Sequence, residues 1–178
     1  PLTPDSEAGY FVAGILAHAR ELTAFCNPVP NSYARLGANE APLYISWSRQ
    51  NRSQLVRLPS ASGDLCRVEL RGPDPAGNPY LVIGLILAAG LDGIARKLPL
   101  AEPVNRNLFH PSAAAGLESL PRTLREAITV AAQSDFIAAE LPLALQNKYF
   151  EYQTQLCHGY ENAPDPAVWE RTHGFLVI

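Results

Sequence analysis

The chain has 178 residues and a formal net charge of −3, and 47% of its residues are hydrophobic. This length suits one sizeable core, and a mildly acidic chain lacks the broad basic surface that general nucleic-acid or membrane-surface binding requires. Three scattered cysteines without a C-x-x-C pair argue against a disulfide framework or a structural zinc site, and indicate free thiols in a reducing cytoplasm.

The first part of the chain predicts one helix followed by short strands. Residues 9–25 carry apolar side chains at helical spacing, and the two prolines of NPVPN end this amphipathic helix. Alternating apolar and polar residues then predict strands at 43–48, 54–58 and 65–71.

A second helix is predicted after the strands. Asn78 is a good N-cap, Pro79 suits the first helical position, and residues 80–91 are apolar on all sides, so this helix is expected to be buried. It is predicted to be too short to span a bilayer, because charged residues follow from Asp92. A Pro- and Ala-rich connection comes next, and then a helical region with helices near 122–133, 134–140 and 143–157 and a turn-rich tail.

This order of elements predicts the α+β class in a single domain covering residues 1–178. Strands that follow one another without intervening helices favour a few antiparallel strands, packed here against the long buried helix and the C-terminal helical region. Three strands are few for a complete sheet, so further strands are expected upstream of Pro1 or in another chain. The chain contains no methionine, and we expect it to be a piece of something longer.

Arginine is concentrated between residues 35 and 71. The six arginines of this stretch are Arg35, Arg49, Arg52, Arg57, Arg67 and Arg71. Its only acids are Glu40, Asp64 and Glu69, and the whole chain has twelve arginines but two lysines. Arginine presents a planar fork that holds carboxylate or phosphate bidentately, so the stretch predicts a pocket for a multiply anionic substrate. From the pattern alone, a solvated sheet face with cross-strand ion pairs stays open as the alternative.

Four interlocking motifs in this part of the chain carry a resemblance to a known family. They are NPVPNSYARL, EAP, SRQNRSQLVRLP and RVELRGPDPAGNPY, and AAGLDGIARKL and EPVNRNLF follow. In order and spacing they resemble the C-terminal catalytic part of class I glutamine synthetase, over roughly residues 10–156. The resemblance implies a ligase in which ATP phosphorylates glutamate, and ammonia then displaces phosphate from γ-glutamyl phosphate to form glutamine. It also implies Mg²⁺ or Mn²⁺ at the phosphates.

The resemblance implies roles for three residues around glutamate. Arg35 and Arg71 would bind the substrate's carboxylate. Glu40 would be a catalytic flap residue that shields the acyl phosphate and deprotonates ammonium.

It implies a second group of roles around ATP and metal. Arg52 would be catalytic, stabilising the phosphoryl group in transfer, and would bind ATP phosphates together with Arg57. Glu69 would ligate a metal ion. Arg49 and Arg67 are expected to be structural or rim charges.

The flap departs from the family's pattern. Glu40 lies five positions after Arg35, where the family usually has six, and Ala38-Asn39 replaces a Gly-aromatic pair. This departure slightly favours an alternative, a related ligase that joins glutamate to an organic amine. A non-catalytic assembly domain is a further alternative.

The resemblance finally implies a larger assembly. The family's other metal carboxylates and its N-terminal domain would lie upstream of residue 1, and a neighbouring subunit would complete the pocket in stacked hexameric rings. We therefore expect a cytoplasmic homo-oligomer without nucleic-acid or membrane partners. The 178-residue piece alone is expected to be inactive.

Overall fold

The computed structural model describes residue 3 and residues 5–38, 40–59 and 66–173, without the side chain of Pro111. Its α-helices are α1 (Glu7–Ala17), α2 (Ala19–Cys26), α3 (Ser32–Arg35), α4 (Pro79–Arg96), α5 (Leu124–Ala132), α6 (Asp135–Glu140), α7 (Leu143–Glu161) and α8 (Pro166–His173). The strands are β1 (Trp47–Arg49), β2 (Val56–Leu58) and β3 (Glu69–Leu70), and a 3₁₀ helix covers Pro111–Ala114. The predicted α+β class is confirmed. Asp64 and the start of the third predicted strand lie outside the described residues.

The predicted N-terminal helix is two helices with a break at His18. The Ser6 hydroxyl caps α1 by accepting a hydrogen bond from the Gly9 amide. At the break, the ring of the almost fully buried His18 bonds Glu21 on one side and Asp92 of α4 on the other, with Nε2 2.9 Å from the Asp92 carboxylate. His18 also stacks on Phe136 at a centroid distance of 3.9 Å. It thereby ties α1 and α2 to α4 and α6.

Helices α1 and α4 cross at backbone contact. A Cβ added to Gly14 would lie 2.1 Å from the Ala89 carbonyl oxygen, and one added to Gly93 would lie 2.2 Å from the Tyr10 carbonyl oxygen. Only residues without a side chain allow this approach. The crossing holds α1 next to the sheet, since Val12 and Ile15 pack with Trp47 and other strand residues.

Two predictions about α4 are corrected. The helix is not buried on all sides: Tyr80, Ile83, Leu87 and Leu91 form one stripe along it, and these side chains are 50% to 88% exposed. It also continues to Arg96, so at 18 residues it is long and apolar enough to cross a membrane, and the prediction that it is too short is wrong. The Asp92–Arg96 ion pair, at 3.0 Å, supports the added turn.

The sheet is mixed, which corrects the prediction of antiparallel strands. β2 and β3 are antiparallel, with Arg57 opposite Glu69. β1 and β2 are parallel, with Ser48 opposite Arg57. Alternation of apolar and polar residues is the same in both orientations, so the pattern could not distinguish them.

The helical region after residue 121 agrees with its prediction, except at the tail. Thr123 and Ser134 cap α5 and α6 through their hydroxyls. Helix α8 stands where turns were predicted, and its Trp169 packs edge-on against Tyr160 of α7. Beneath these helices, Phe25 stacks on Tyr149 at 4.5 Å in the largest buried cluster.

Cys26 and Cys157 are free thiols, as predicted, and the three cysteines differ in environment. Burial raises the pKa of Cys26 to about 12 and that of Cys157 to about 11, whereas Cys66 is exposed. Because the thiolate is the reactive form, a thiol reagent at pH 8 is expected to modify Cys66 at least about tenfold faster than the other two. Mass spectrometry of the partially modified protein measures this order, and early label on Cys26 would contradict it.

Candidate functional site

Strand pairing places the carboxylate of Glu69 between two guanidinium groups. Arg57, its cross-strand partner, donates from Nη1 to Glu69 Oε2 at 2.9 Å. Arg67, two residues before Glu69, donates from Nε to Oε1 at 3.1 Å. Both carboxylate oxygens of Glu69 therefore bind arginine. Arg67 and Glu69 lie on the same side of the extended chain, as their spacing of two residues predicts.

These contacts determine the ionisation of Glu69. The hydrogen bond from Arg57, and after it that from Arg67, lowers the pKa of Glu69 below its ordinary value of 4.5. A lowered pKa means that the pair contributes stability above pH 4.5, and that this contribution is lost as the pH falls through the lower, folded-state pKa. At neutral pH Glu69 is a carboxylate.

Replacing Arg57 with glutamine is expected to raise the pKa of Glu69 towards 4.5, because the largest stabilising contact of the carboxylate is lost. A titration of the side-chain carboxyl ¹³C shift measures this change. Arg67→Gln is the matched control and should produce a smaller rise, and an equal or larger rise would contradict the order of the two contacts.

A second acid, Glu40, lies between Arg52 and Arg71. Its Oε2 is 3.5 Å from a guanidinium nitrogen of each arginine. Glu40 has a left-handed backbone, with φ of 63°, in a turn closed by a hydrogen bond from the Gly37 amide to the Ala41 carbonyl. The tight turn thus holds Glu40 at the mouth of the arginine cluster, with 60% of its side chain exposed.

Arg71 is the most enclosed member of this cluster. Its side chain is 16% exposed, and its buried Nη1 has no hydrogen-bond partner among the described residues. Burial, together with the nearby charges of Arg52 and Arg57, lowers the pKa of Arg71, while Glu40 and Glu69 oppose this effect. A buried guanidinium nitrogen without an acceptor is costly, and an anion would satisfy it.

Arg35 stands apart from these contacts. Its Nη2 donates to Asn27 Oδ1 at 2.6 Å and to the carbonyl of Gly72, and its Nε is 3.6 Å from the Asp74 carboxylate. Of the six predicted site residues, the structure thus brings Glu40, Arg52, Arg57, Glu69 and Arg71 together. Arg35 is joined to them only through the backbone of Gly72, which follows Arg71.

Sequence reasoning missed the residues that hold the loop carrying Arg52. Asn51 and Gln54 lie on either side of Arg52 within this loop, and their side-chain amides bond the backbone of residues 105–106. In the sequence, these residues are marked only by the run of polar residues around Arg52, and such a run predicts a solvated loop equally well.

The described residues contain no group of three His, Cys, Asp or Glu side chains that could hold a metal ion. Glu69 can offer one carboxylate, which fits Mg²⁺ or Mn²⁺ in kind, but both of its oxygens bind arginine here. A complete metal site therefore needs ligands beyond those that this part of the chain supplies.

The class of protein follows from this fold and site taken with the family comparison. The family model of the glutamine synthetase catalytic domain matches residues 4–172, so the chain belongs to that family. The predicted resemblance is confirmed.

Named relatives agree with this assignment. A glutamine synthetase of Methanosarcina mazei is 49% identical over 79% of this chain and 33% of its own length. One of Staphylococcus aureus is 45% identical over 81% of this chain and 34% of its own length. One of Thermotoga maritima is 46% identical over 85% of this chain and 36% of its own length. The chain therefore spans about a third of the length of the curated relatives it matches.

Solved structures share the fold. A chain described as a GmaS/ADP complex superimposes with a TM-score of 0.81 and 32% identity, over 98% of this chain and 40% of its own. A GmaS chain without ligand gives a TM-score of 0.80 and 33% identity, over 98% and 39%.

Proposed function

We propose that this chain is the C-terminal part of the catalytic domain of a longer, ATP-dependent ligase that joins ammonia to glutamate through γ-glutamyl phosphate. The observation that carries the proposal is the buried Nη1 of Arg71, which has no hydrogen-bond partner in the described part of the chain and lies within a cluster of arginines. Among the described residues, four cations (Arg52, Arg57, Arg67 and Arg71) face two carboxylates there, which gives this part of the site surplus positive charge for an anionic substrate. The relatives named glutamine synthetase support the choice of reaction.

The cluster divides into phosphate and carboxylate binding. Arg52 and Arg57 bind the ATP phosphates, and Arg52 stabilises the phosphoryl group as it passes to the glutamate side-chain carboxylate and ADP leaves. Arg71 binds the glutamate carboxylate. Arg35 supports the same function, because it bonds the Gly72 carbonyl next to Arg71.

Glu40 serves the second step. The nitrogen of ammonia attacks the acyl phosphate carbon, phosphate leaves, and Glu40 accepts the proton that the nitrogen gives up. Its carboxylate is exposed and held at the mouth of the cluster, which suits a group that meets the incoming amine.

Glu69 would contribute one ligand to a bound Mg²⁺ or Mn²⁺, and the others would come from outside the described residues. The metal would neutralise charge on the phosphates. Arg57 and Arg67 keep Glu69 ionised, and a bound cation would replace at least one of their hydrogen bonds to its carboxylate.

The exposed stripe of α4 supports a larger domain. Four large apolar side chains, Tyr80, Ile83, Leu87 and Leu91, line one helix face without cover. Such a face normally lies against protein, and we propose that the rest of the catalytic domain covers it. The complete protein is proposed to be a cytoplasmic homo-oligomer, as the family's ring-type dodecamer, without nucleic-acid or membrane partners.

ADP release by the full-length protein tests the function. We expect release that needs glutamate, Mg²⁺ and ammonium, with glutamine as the product, and none from the 178-residue chain alone. Nucleotide binding without turnover would contradict the proposal, and absence of nucleotide binding would support a non-catalytic assembly domain.

The exposed position of Glu40 supports a second candidate function. In this alternative, the enzyme joins glutamate to an organic amine such as a polyamine or ethanolamine. Because 60% of the Glu40 side chain is exposed, there is room beside it for a larger acceptor. Comparing ammonium with a panel of amines in the same ADP assay separates the two, since the preferred acceptor gives the higher kcat/KM.

A further inference from the structure

The loop that carries Arg52 makes an unusual connection. It joins two parallel strands, β1 and β2, through residues 50–55 alone, whereas parallel strands ordinarily need a crossover of about a dozen residues or more. Gln50, the first residue of the loop, has a left-handed backbone conformation, with φ of 74°. Inside the loop, Asn51 Oδ1 accepts hydrogen bonds from the Ser53 amide and hydroxyl, each at 3.0 Å, and further bonds that shape the loop are made to a distant part of the chain.

Those bonds are made to residues 105–108, more than fifty positions further along the chain. The Asn51 amide donates to the carbonyls of Asn105 and Arg106, at 3.1 and 3.2 Å. The Gln54 amide donates to the Arg106 carbonyl at 2.9 Å. From the other side, the Leu108 amide donates to the Ser53 hydroxyl at 2.9 Å.

The contact is built into the interior. Gln54 is fully buried and Ser53 is 2% exposed, although both are polar. Buried polar side chains are tolerated only when their hydrogen bonds are made. The hydrogen bonds of Ser53 and Gln54 therefore restrict the loop to one conformation. Arg52 lies between the two anchored positions, Asn51 and Ser53, and its own side chain is 62% exposed.

The same loop also holds Arg57. The Arg57 Nε donates to the Gln50 carbonyl at 2.9 Å, at the start of the loop. The anchored loop therefore helps to position both of the arginines that are proposed to bind phosphate, Arg52 and Arg57.

We propose that Asn51 and Gln54 are positioning residues for Arg52, and that residues 105–108 are the template against which the phosphate-binding loop is held. This inference rests on the proposed function. Its physical basis is that phosphoryl transfer depends mostly on placement of charge, and a displacement of about 1 Å can cost about 100-fold in rate.

The test uses Gln54→Leu and Asn51→Ala in the full-length protein, with Trp47→Phe as the matched control. Trp47 bonds the same connection after α4, through Nε1 to the Ala101 carbonyl at 2.7 Å, but it does so from β1 and upstream of residues 105–108. We expect the two loop variants to lose about 10- to 100-fold in kcat/KM for ATP. Trp47→Phe should retain the wild-type rate, although its thermal midpoint falls.

A double-mutant cycle shows whether Gln54 acts through Arg52. If it does, Gln54→Leu costs less in an Arg52→Ala background than in the wild type, where Arg52 is present to be displaced. Full additivity of the two losses, or single loop variants with wild-type kcat/KM, would overturn the positioning role.

The design separates this inference from the proposed function. If the wild-type protein shows no ATP-dependent turnover, the proposed function fails and ADP affinity, measured by calorimetry, becomes the readout. Weaker ADP binding by Gln54→Leu than by Trp47→Phe then supports the positioning role. Equal affinities, or no ADP binding by the wild type, overturn it.

Discussion

Replacing Arg52 with alanine is expected to lower kcat for ADP release by the full-length protein about 1000-fold, with little change in stability. An arginine that stabilises a transferring phosphoryl group is worth about 10³-fold or more. Its side chain is largely exposed, and its one described ion pair, to Glu40, is 3.5 Å long, so the fold loses little when it is removed. Steady-state kinetics at saturating ATP and glutamate, with thermal unfolding in parallel, measure both effects.

Arg67→Ala is the control for this prediction. Arg67 is an arginine of the same cluster and is similarly exposed, but it contacts Glu69 from the rim. We expect a loss of less than about tenfold, because the Arg57–Glu69 pair remains. Equal losses for Arg52→Ala and Arg67→Ala would show that the cluster acts only through its total charge.

Replacing Gly93 or Gly14 with alanine is expected to destabilise the 178-residue chain by about 3 kcal/mol. The new Cβ would lie 2.2 Å from the Tyr10 carbonyl oxygen for Gly93, and 2.1 Å from the Ala89 carbonyl oxygen for Gly14. These obstacles are backbone atoms of the facing helix, which can give way only if α1 and α4 separate. The free energy of unfolding in urea measures the loss.

Gly84→Ala is the matched control within the same helix. Apart from the backbone of its own helix and its two chain neighbours, no described atom lies within 4 Å of a Cβ built there, so the substitution brings mainly the better helix propensity of alanine. It should stabilise the chain by about 0.5–1 kcal/mol. A gain at Gly93, or a loss at Gly84 as large as that at Gly93, would contradict the close approach of the two helices.

Helix starts were predictable because their chemistry is local. Asn78 accepts hydrogen bonds from the Tyr80 and Leu81 amides, as its place before Pro79 indicated. The end of α4 was not predictable in the same way. Five further residues are helical, and the helix stops only where Lys97 takes a left-handed conformation, with φ of 50°.

The burial of α4 and the orientation of β1 were misjudged for related reasons. An apolar surface indicates that a helix needs cover, but not which of its faces this chain covers. Alternation indicates a strand, but its direction here depends on a loop held by residues 105–108. Both properties belong to contacts between distant parts of the chain.

For the candidate site, too, local features could be predicted from the sequence and contacts between distant residues could not. The kinds of residue, the clustering of arginine between 35 and 71 and the family resemblance could all be derived from the order of amino acids, because motif and spacing are local. The pairing of Glu69 with Arg57 and Arg67, the shared contact of Glu40 with Arg52 and Arg71, and the separate position of Arg35 required the tertiary structure. The physical reason is that a guanidinium can bind any carboxylate within reach. Which carboxylate lies within reach depends on how the backbone is packed.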